Sequence, residues 1–215
     1  MNAQGRKKTV RARPYGGALP DERRNLRRAK LIAAGYKLFG SSSFNNTGIA
    51  QICAAAGVGI RAFYDEFESL EGLLHAVYDD VMSSAYRSFK RSLFEQPGEA
   101  SKMLERGIRT YLHEMLDNPC SGRIASIESS RLDSLLGRHR NKVLKKFARL
   151  VATAVQADAA IFDGDVRVWS LMLAGGLNEV VVNAVLSKQK PDIDALASSI
   201  AEICTRTLRR RTWAS

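Results

Sequence analysis

The sequence predicts an all-α fold of about nine helices. Apolar residues recur every three or four positions from residue 21 onward, which is the period of an amphipathic helix. Beyond residue 69, no stretch of any length alternates apolar and polar residues as a half-buried strand does. The chain has 215 residues, 45% of them hydrophobic, and can therefore bury a substantial core.

The first twenty residues predict a flexible basic arm, because they combine Gly, Pro and Arg without apolar periodicity. The formal net charge is +11, and before position 31 ten Lys and Arg side chains face only Asp21 and Glu22. Such a concentration favours a polyanionic partner, either nucleic acid or an anionic membrane surface. A solubilising tail is the alternative interpretation.

Two short helices joined by a glycine turn follow the first long helix. Acidic residues at 21 and 22 favour the start of a helix that runs to about residue 40. After a polar loop, Thr47 is the expected N-cap of a short second helix. Gly57 can take the left-handed backbone conformation of a tight turn, and residues 60–67 form the next helix. This arrangement is a helix-turn-helix, which aims its second helix into the DNA major groove.

The predicted recognition helix carries two polar side chains on one face. Arg61 and Tyr64 lie one turn apart. An arginine can bond both acceptors of a guanine edge, and a tyrosine can donate its hydroxyl to a phosphate. Phe63 and Phe67 are interpreted as core anchors of this helix. The sequence therefore predicts a DNA-reading surface around residue 61.

The residues carry a family resemblance at this point. The run RRAKLIAAGYKLF and the pattern Thr47-x4-Ile52-Cys53-x2-Ala56-Gly57-Val58-x4-Phe63-Tyr64-x2-Phe67-x-Ser69-x-Glu71-x-Leu73 resemble the DNA-binding region of the TetR family of bacterial transcriptional regulators. The resemblance covers roughly residues 23–74. It implies a DNA-binding domain at 21–68 after the arm at 1–20, and a helical ligand-binding and dimerisation domain at 69–215.

The resemblance also implies individual roles. Thr47 should cap the second helix and meet a phosphate, and Tyr64 should contact the DNA backbone. The sequence departs from the family pattern by Gly59 in place of Ser or Thr, Leu70 in place of Lys, Cys53 in place of Ala, and acids at 65 and 66. The complete set of expected DNA-binding residues is Arg11, Arg13, Arg28, Thr47, Gly59, Ile60, Arg61 and Tyr64.

The basic arm is predicted to supply the phosphate contacts that these departures remove. Its arginines can reach along the duplex or into an adjacent minor groove. Deleting residues 1–18 should lower DNA affinity at every sequence and flatten its dependence on salt, because fewer counterions are released on binding. Fluorescence anisotropy across a salt titration measures both effects. Identical curves for the truncated and full-length chains would show that the arm makes no DNA contact.

The last two predicted helices carry surplus apolar surface. The helix at about 163–188 is apolar on opposite faces, and Gly175 with Gly176 would let another helix approach closely. A further amphipathic helix follows at 191–210. The simplest arrangement is a homodimer in which these two helices from each chain form a four-helix bundle. A monomer with one deeply buried helix is the alternative.

The resemblance implies a small-molecule effector bound among the helices after Ser69, and the apolar faces there indicate an apolar one. Polar residues on apolar faces are the first pocket candidates. Each has a purely structural alternative: Glu128 can pair with Arg131, His139 can be a satisfied core histidine, and Asn178 can bond across a dimer seam. The other candidates, which can equally be packing residues, are Tyr78, Tyr111, Met115 and Met172.

Several classes of protein are disfavoured. The three cysteines are far apart and have no histidine at ligand spacing, so we expect no metal site, no cofactor and a reduced, cytoplasmic setting. No stretch is long and uncharged enough to predict a membrane span. No nucleophile elbow, P-loop or dinucleotide fingerprint indicates an enzyme. A sequence-nonspecific architectural DNA-binding protein is the main rival to a transcriptional regulator.

Overall fold

The computed structural model describes residues 20–126, 134–156, 164–187 and 191–208. These ranges contain nine α-helices and no strand, in agreement with the predicted fold class. A single 3₁₀ turn, Phe44–Asn46, lies between the first two helices. The helices are α1 (Pro20–Ser42), α2 (Ile49–Ala56), α3 (Ile60–Tyr64), α4 (Leu70–Phe94), α5 (Ala100–Leu116), α6 (Pro119–Ser126), α7 (Ser134–Gln156), α8 (Val166–Leu186) and α9 (Ile193–Leu208).

The turn between α2 and α3 depends on Gly57. Its backbone has φ 65° and ψ 38°, which is the left-handed region, and the N–H of Val58 then donates to the Cys53 carbonyl at 3.0 Å. Space is not the constraint, since a Cβ at this position would meet no atom within 4 Å. The backbone conformation alone favours glycine here, as the sequence predicted.

The N-cap of α2 is Gly48, so the assignment of Thr47 to that role is wrong. The Thr47 hydroxyl is buried and donates to the Ser43 carbonyl at 2.7 Å. It thereby closes the 3₁₀ turn, which the sequence analysis did not anticipate. Gln51 provides the polar side chain at the start of α2 instead, because its Oε1 accepts from the Gly48 N–H at 2.8 Å. The inward hydroxyl also removes support for a phosphate contact by Thr47.

Helix α6 connects α1 with the C-terminal helices. The Tyr36 hydroxyl on α1 and the Ser121 hydroxyl on α6 lie 2.9 Å apart. The backbones approach so closely that a Cβ at Gly40 would lie 2.4 Å from the Cys120 Cβ. On its other side, a Cβ at Gly122 would lie 2.8 Å from Val185 Cγ2 on α8. A shift of α8 would therefore displace α6 and, through direct packing, α1.

Helix α8 has one buried face and one exposed apolar face. Ser170, Ala174, Leu177 and Val181 are buried on the side that packs against α6 and α7. Contrary to the expectation from the sequence, this helix is long and apolar enough to cross a membrane by length and composition alone, although one of its faces packs on α5, α6 and α7. Its exposed apolar side chains are Val168, Leu171, Met172 and Leu186.

Helix α9 is fastened to α5 by polar contacts. Arg109 on α5 donates to the Asp194 carboxylate and to the Ser198 hydroxyl, the latter at 3.3 Å. The Trp169 indole N–H on α8 donates to the Thr207 hydroxyl on α9 at 3.0 Å. The contacts of Arg109 thus join α9 to α5, and the contact of Trp169 joins α9 to α8.

Candidate nucleic-acid interface and ligand pocket

Helix α3 presents one face to solvent and one to the core. Ile60 is 54% exposed, Tyr64 is 56% exposed, and Arg61 is also on the surface. Phe63 and Phe67 are buried, which confirms their interpretation as core anchors. The helix ends at Tyr64 rather than at residue 67, since the chain turns inward to bury Glu66 and Phe67. Arg61 and Tyr64 are thus free to meet a groove.

The carboxylate of Glu66 is buried, although the sequence analysis counted this residue among the departures that weaken DNA contacts. Its side chain is only 1% exposed and accepts from Arg24 Nε at 3.3 Å and from Arg27 Nη2 at 3.1 Å. Arg28, an expected DNA contact, donates to the Glu66 carbonyl at 3.0 Å and lies 4.3 Å above the Phe67 ring. Three arginines of α1 therefore hold the end of the recognition helix. Of the two acids at 65 and 66, only Asp65 is exposed.

Replacing Glu66 by Gln should lower both the stability of the helix-turn-helix and its affinity for DNA. A charge-assisted hydrogen bond contributes about 1.5 to 3 kcal/mol, and the neutral amide keeps the shape but loses the ion pairs. Thermal unfolding and DNA titration measure the two effects. Asp65→Asn is the matched control, because it removes the same charge from an exposed side chain. A gain of affinity in both variants would mean that Glu66 acts only by repelling DNA.

Gly59 is the N-cap of α3 and makes no side-chain cap. Its φ of −77° and ψ of 156° suit any residue, and a Cβ there would meet nothing within 4 Å. Gly59→Ser should therefore fit without strain and add a hydroxyl that can accept from the first turn of α3. That hydroxyl would also face the DNA side.

We expect Gly59→Ser to stabilise the protein by a few tenths of a kcal/mol and to raise DNA affinity several-fold. Gly59→Ala is the control, because it restricts the backbone equally but offers no hydroxyl. Differential scanning calorimetry and DNA titration of both variants give the comparison. Equal DNA affinity in the Ser and Ala variants would contradict the phosphate contact.

Four helices, α4, α5, α7 and α8, enclose a pocket. Its empty space is about 470 Å³, which includes a part open to solvent. The cavity is narrow, because only about 30 Å³ of this space is wide enough for the centre of a water molecule. A larger ligand must therefore move the walls as it enters. The lining residues are Tyr78, Met82, Phe89, Tyr111, Arg140, Val143, Leu144, Phe147, Val151, Ala174, Leu177 and Asn178.

The structure brings some of the expected pocket residues together and separates others. Tyr78, Tyr111 and Asn178 line this pocket. His139 stands beside it, with its ring 5.8 Å from the Tyr78 ring and its Nε2 2.5 Å from Asp79 Oδ1 on α4. Two candidates lie elsewhere, Met115 within the core and Met172 on the outer face of α8. Glu128 lies outside the described residues, as do Arg11 and Arg13.

The sequence analysis missed Arg140, the cationic residue among those that line the pocket. Its position three residues before Val143 and seven before Phe147 places it on the apolar face of α7. Val143 and Phe147 share one helical face in the sequence, and extending that face by one turn toward the N-terminus reaches this arginine. A charged residue on a core-facing stripe was the available signal.

Comparison with known proteins relates the DNA-binding region to one family. The family model described as bacterial regulatory proteins, tetR family, matches residues 31–77. The HTH-type transcriptional regulator EthR of Mycolicibacterium smegmatis is 21% identical over 170 residues, which is 78% of each chain. The matched segment contains α2, α3 and the exposed Arg61.

Two solved structures share the fold beyond the DNA-binding region. The fatty acid degradation regulator FadR from Bacillus halodurans has a TM-score of 0.75 at 21% identity and covers 86% of this chain and 97% of its own. The transcriptional regulator FadR from Bacillus subtilis, solved in complex with stearoyl-CoA, has a TM-score of 0.74 at 19% identity and covers 84% and 99%. At these identities, the similarity establishes the arrangement of the helices.

Proposed function

Because this chain belongs to the TetR family of bacterial regulatory proteins, we propose that it is a repressor that a lipid-like effector releases from a near-palindromic operator. It is a ligand-responsive, DNA-binding transcriptional regulator. The observation that supports DNA binding is the exposure of α3, which presents Arg61 and Tyr64 beyond the Gly57 turn. The proposed DNA contacts are Ile60, Arg61 and Tyr64, with Gly59 at the start of the helix.

We propose that the effector occupies the pocket between α4, α5, α7 and α8. The structural relative from Bacillus subtilis was solved with an acyl-coenzyme A, and the pocket of this chain is lined by Phe89, Phe147 and aliphatic side chains. An acyl chain suits such a lining. The narrowness of the cavity supports a regulatory role, because a ligand that must open the pocket binds the opened conformation better than the closed one.

The packing of α8, α6 and α1 suggests how opening of the pocket could change DNA binding. Leu177 and Asn178 on α8 line the pocket, and α8 packs on α6 through Gly122. Helix α6 in turn packs on α1 through Gly40 and the contact between the Tyr36 and Ser121 hydroxyls. We propose that displacement of α8 tilts α1 through α6 and changes the distance between the two recognition helices of a dimer.

We propose a homodimer through the exposed faces of α8 and α9. The exposed apolar residues of α8 and the exposed Ile203 on α9 provide the contact surface, and a Cβ at either Gly175 or Gly176 would meet no atom within 4 Å in this chain. Both glycines are thus open to a partner helix. Two-fold symmetry would then match the two half-sites of the operator. The regulator would act in the cytoplasm.

Genomic footprinting with the full-length protein tests this proposal. A regulator should protect a few discrete near-palindromes, and addition of an acyl effector should release them. The architectural alternative predicts even coating of DNA without preferred sites. Protection that is spread evenly over the genome and indifferent to acyl compounds would overturn the proposal.

A further inference from the structure

The pocket has a polar end and an apolar end. On α7 the lining runs from Arg140 to Val151, a distance of about 16 Å at 1.5 Å per residue. Tyr78 on α4 lies at the Arg140 end, because its ring contacts His139 at 5.8 Å. Phe89, three turns further along α4, contacts Phe147 at 5.4 Å. A molecule aligned with the pocket would therefore meet polar groups first and hydrocarbon after them.

Four polar side chains at this end make no hydrogen bond or ion pair with any residue that the structure describes. Tyr78 is 1% exposed and Tyr111 is 7% exposed, yet neither hydroxyl is hydrogen-bonded to any described residue. The guanidinium of Arg140 and the amide of Asn178 likewise lack a hydrogen bond or ion pair within the described ranges, although both line the pocket. The buried unpartnered side-chain atoms of the described residues lie elsewhere, so the polar atoms of these four residues are accessible from the pocket that they line. Their convergence on one cavity suits a polar group at this end of a ligand.

The chemistry of these groups suits a carboxylate. Arginine offers a planar fork of donors that matches two carboxylate oxygens. Burial raises the pKa of Tyr78 above its ordinary value and that of Tyr111 to about 12, with the Arg140 charge acting in the opposite direction. Both phenols therefore stay protonated near neutral pH and can donate. The nearby acid Asp79, which would repel an anion, is engaged by His139.

We propose that the polar end of the pocket is a carboxylate-binding site, and that the effector is a free acid with an apolar chain rather than an ester or thioester of that acid. This inference rests on the proposed function only in taking the pocket as the effector site. Arg140 on α7 and Tyr78 on α4 would bind the same carboxylate and so bridge two walls of the pocket. The chain would lie between Phe89 and Phe147, which must separate to admit it.

Direct titration without DNA tests the proposal. The full-length protein is titrated calorimetrically with dodecanoate, methyl dodecanoate, 1-dodecanol and dodecanoyl-coenzyme A. Dodecanoate should bind at least about tenfold more tightly than the alcohol or the methyl ester, because only the acid makes charge-assisted hydrogen bonds. Arg140→Met should erase that preference and leave the affinity for the alcohol unchanged.

Two further variants make the result specific. Arg138→Met removes the same charge from an exposed position on the opposite side of α7, so it should keep the preference for the acid. Tyr78→Phe with Tyr111→Phe should weaken dodecanoate several-fold without weakening the alcohol. Equal binding of acid and alcohol by the unmodified protein, or a preference that survives Arg140→Met, would overturn the carboxylate site. Tight binding of dodecanoyl-coenzyme A alone would also overturn the carboxylate site, but it would still agree with the proposal of an acyl effector.

Discussion

The variant Met172→Asp should be monomeric and should lose between about 100-fold and 10,000-fold in operator affinity. One dimer binds two half-sites at once, and that gain from linked binding disappears when the subunits separate. Met172 is 70% exposed in the single chain, so a carboxylate there is compatible with the subunit's own fold. At a dimer seam the same carboxylate would be buried without a partner and would be strongly disfavoured.

Analytical ultracentrifugation gives the mass, and fluorescence anisotropy on a footprinted operator gives the affinity. Ser83→Asp is the control, because it adds the same charge at an exposed position of α4 and should stay dimeric. The thermal unfolding of both variants shows whether the subunit remains folded. A dimeric Met172→Asp protein with unchanged operator affinity would place the interface elsewhere.

The helical periodicity of apolar residues predicted the long helices. It failed where the contacts of a single side chain determine the local structure. The helical spacing of apolar residues located α1, α8 and α9 to within a few residues. It could not show that Glu66 turns inward, because that depends on arginines 39 and 42 residues away in sequence. Thr47 was misassigned for a related reason. The 3₁₀ turn before α2 occupies its hydroxyl, and such short turns leave little trace in composition.

The pocket residues were likewise predicted only in part from the sequence. Tyr78, Tyr111 and Asn178 were chosen as polar or aromatic residues on apolar faces, and three helices bring them together. Met172, an apolar candidate, lies instead on the outer face of a helix that is apolar on both sides. Sequence alone cannot tell which of two apolar faces looks inward. Arg140 could have been found, because its helical register with Val143 and Phe147 is visible in the sequence.

Arg61→Ala should weaken operator binding by about 5-fold to 150-fold for each half-site, since a good arginine contact to a guanine edge contributes about 1 to 3 kcal/mol. Two half-sites carry the substitution in every dimer, so the loss for the whole operator should be larger. Arg61 is exposed on α3, where its backbone carbonyl accepts from the Asp65 N–H, and no described residue bonds its side chain. Truncation should therefore leave stability nearly unchanged.

Arg61→Lys separates base reading from phosphate binding. Lysine keeps the charge but lacks the planar fork, so it should retain affinity for random DNA while losing most of the preference for the operator. Arg87→Ala, which removes an exposed arginine on α4, is the control for the loss of positive charge in Arg61→Ala. Titration of operator and scrambled duplexes at two salt concentrations gives the specificity ratio. If Arg61→Lys kept the full ratio, Arg61 would be a backbone contact, and the sequence would be read by other residues.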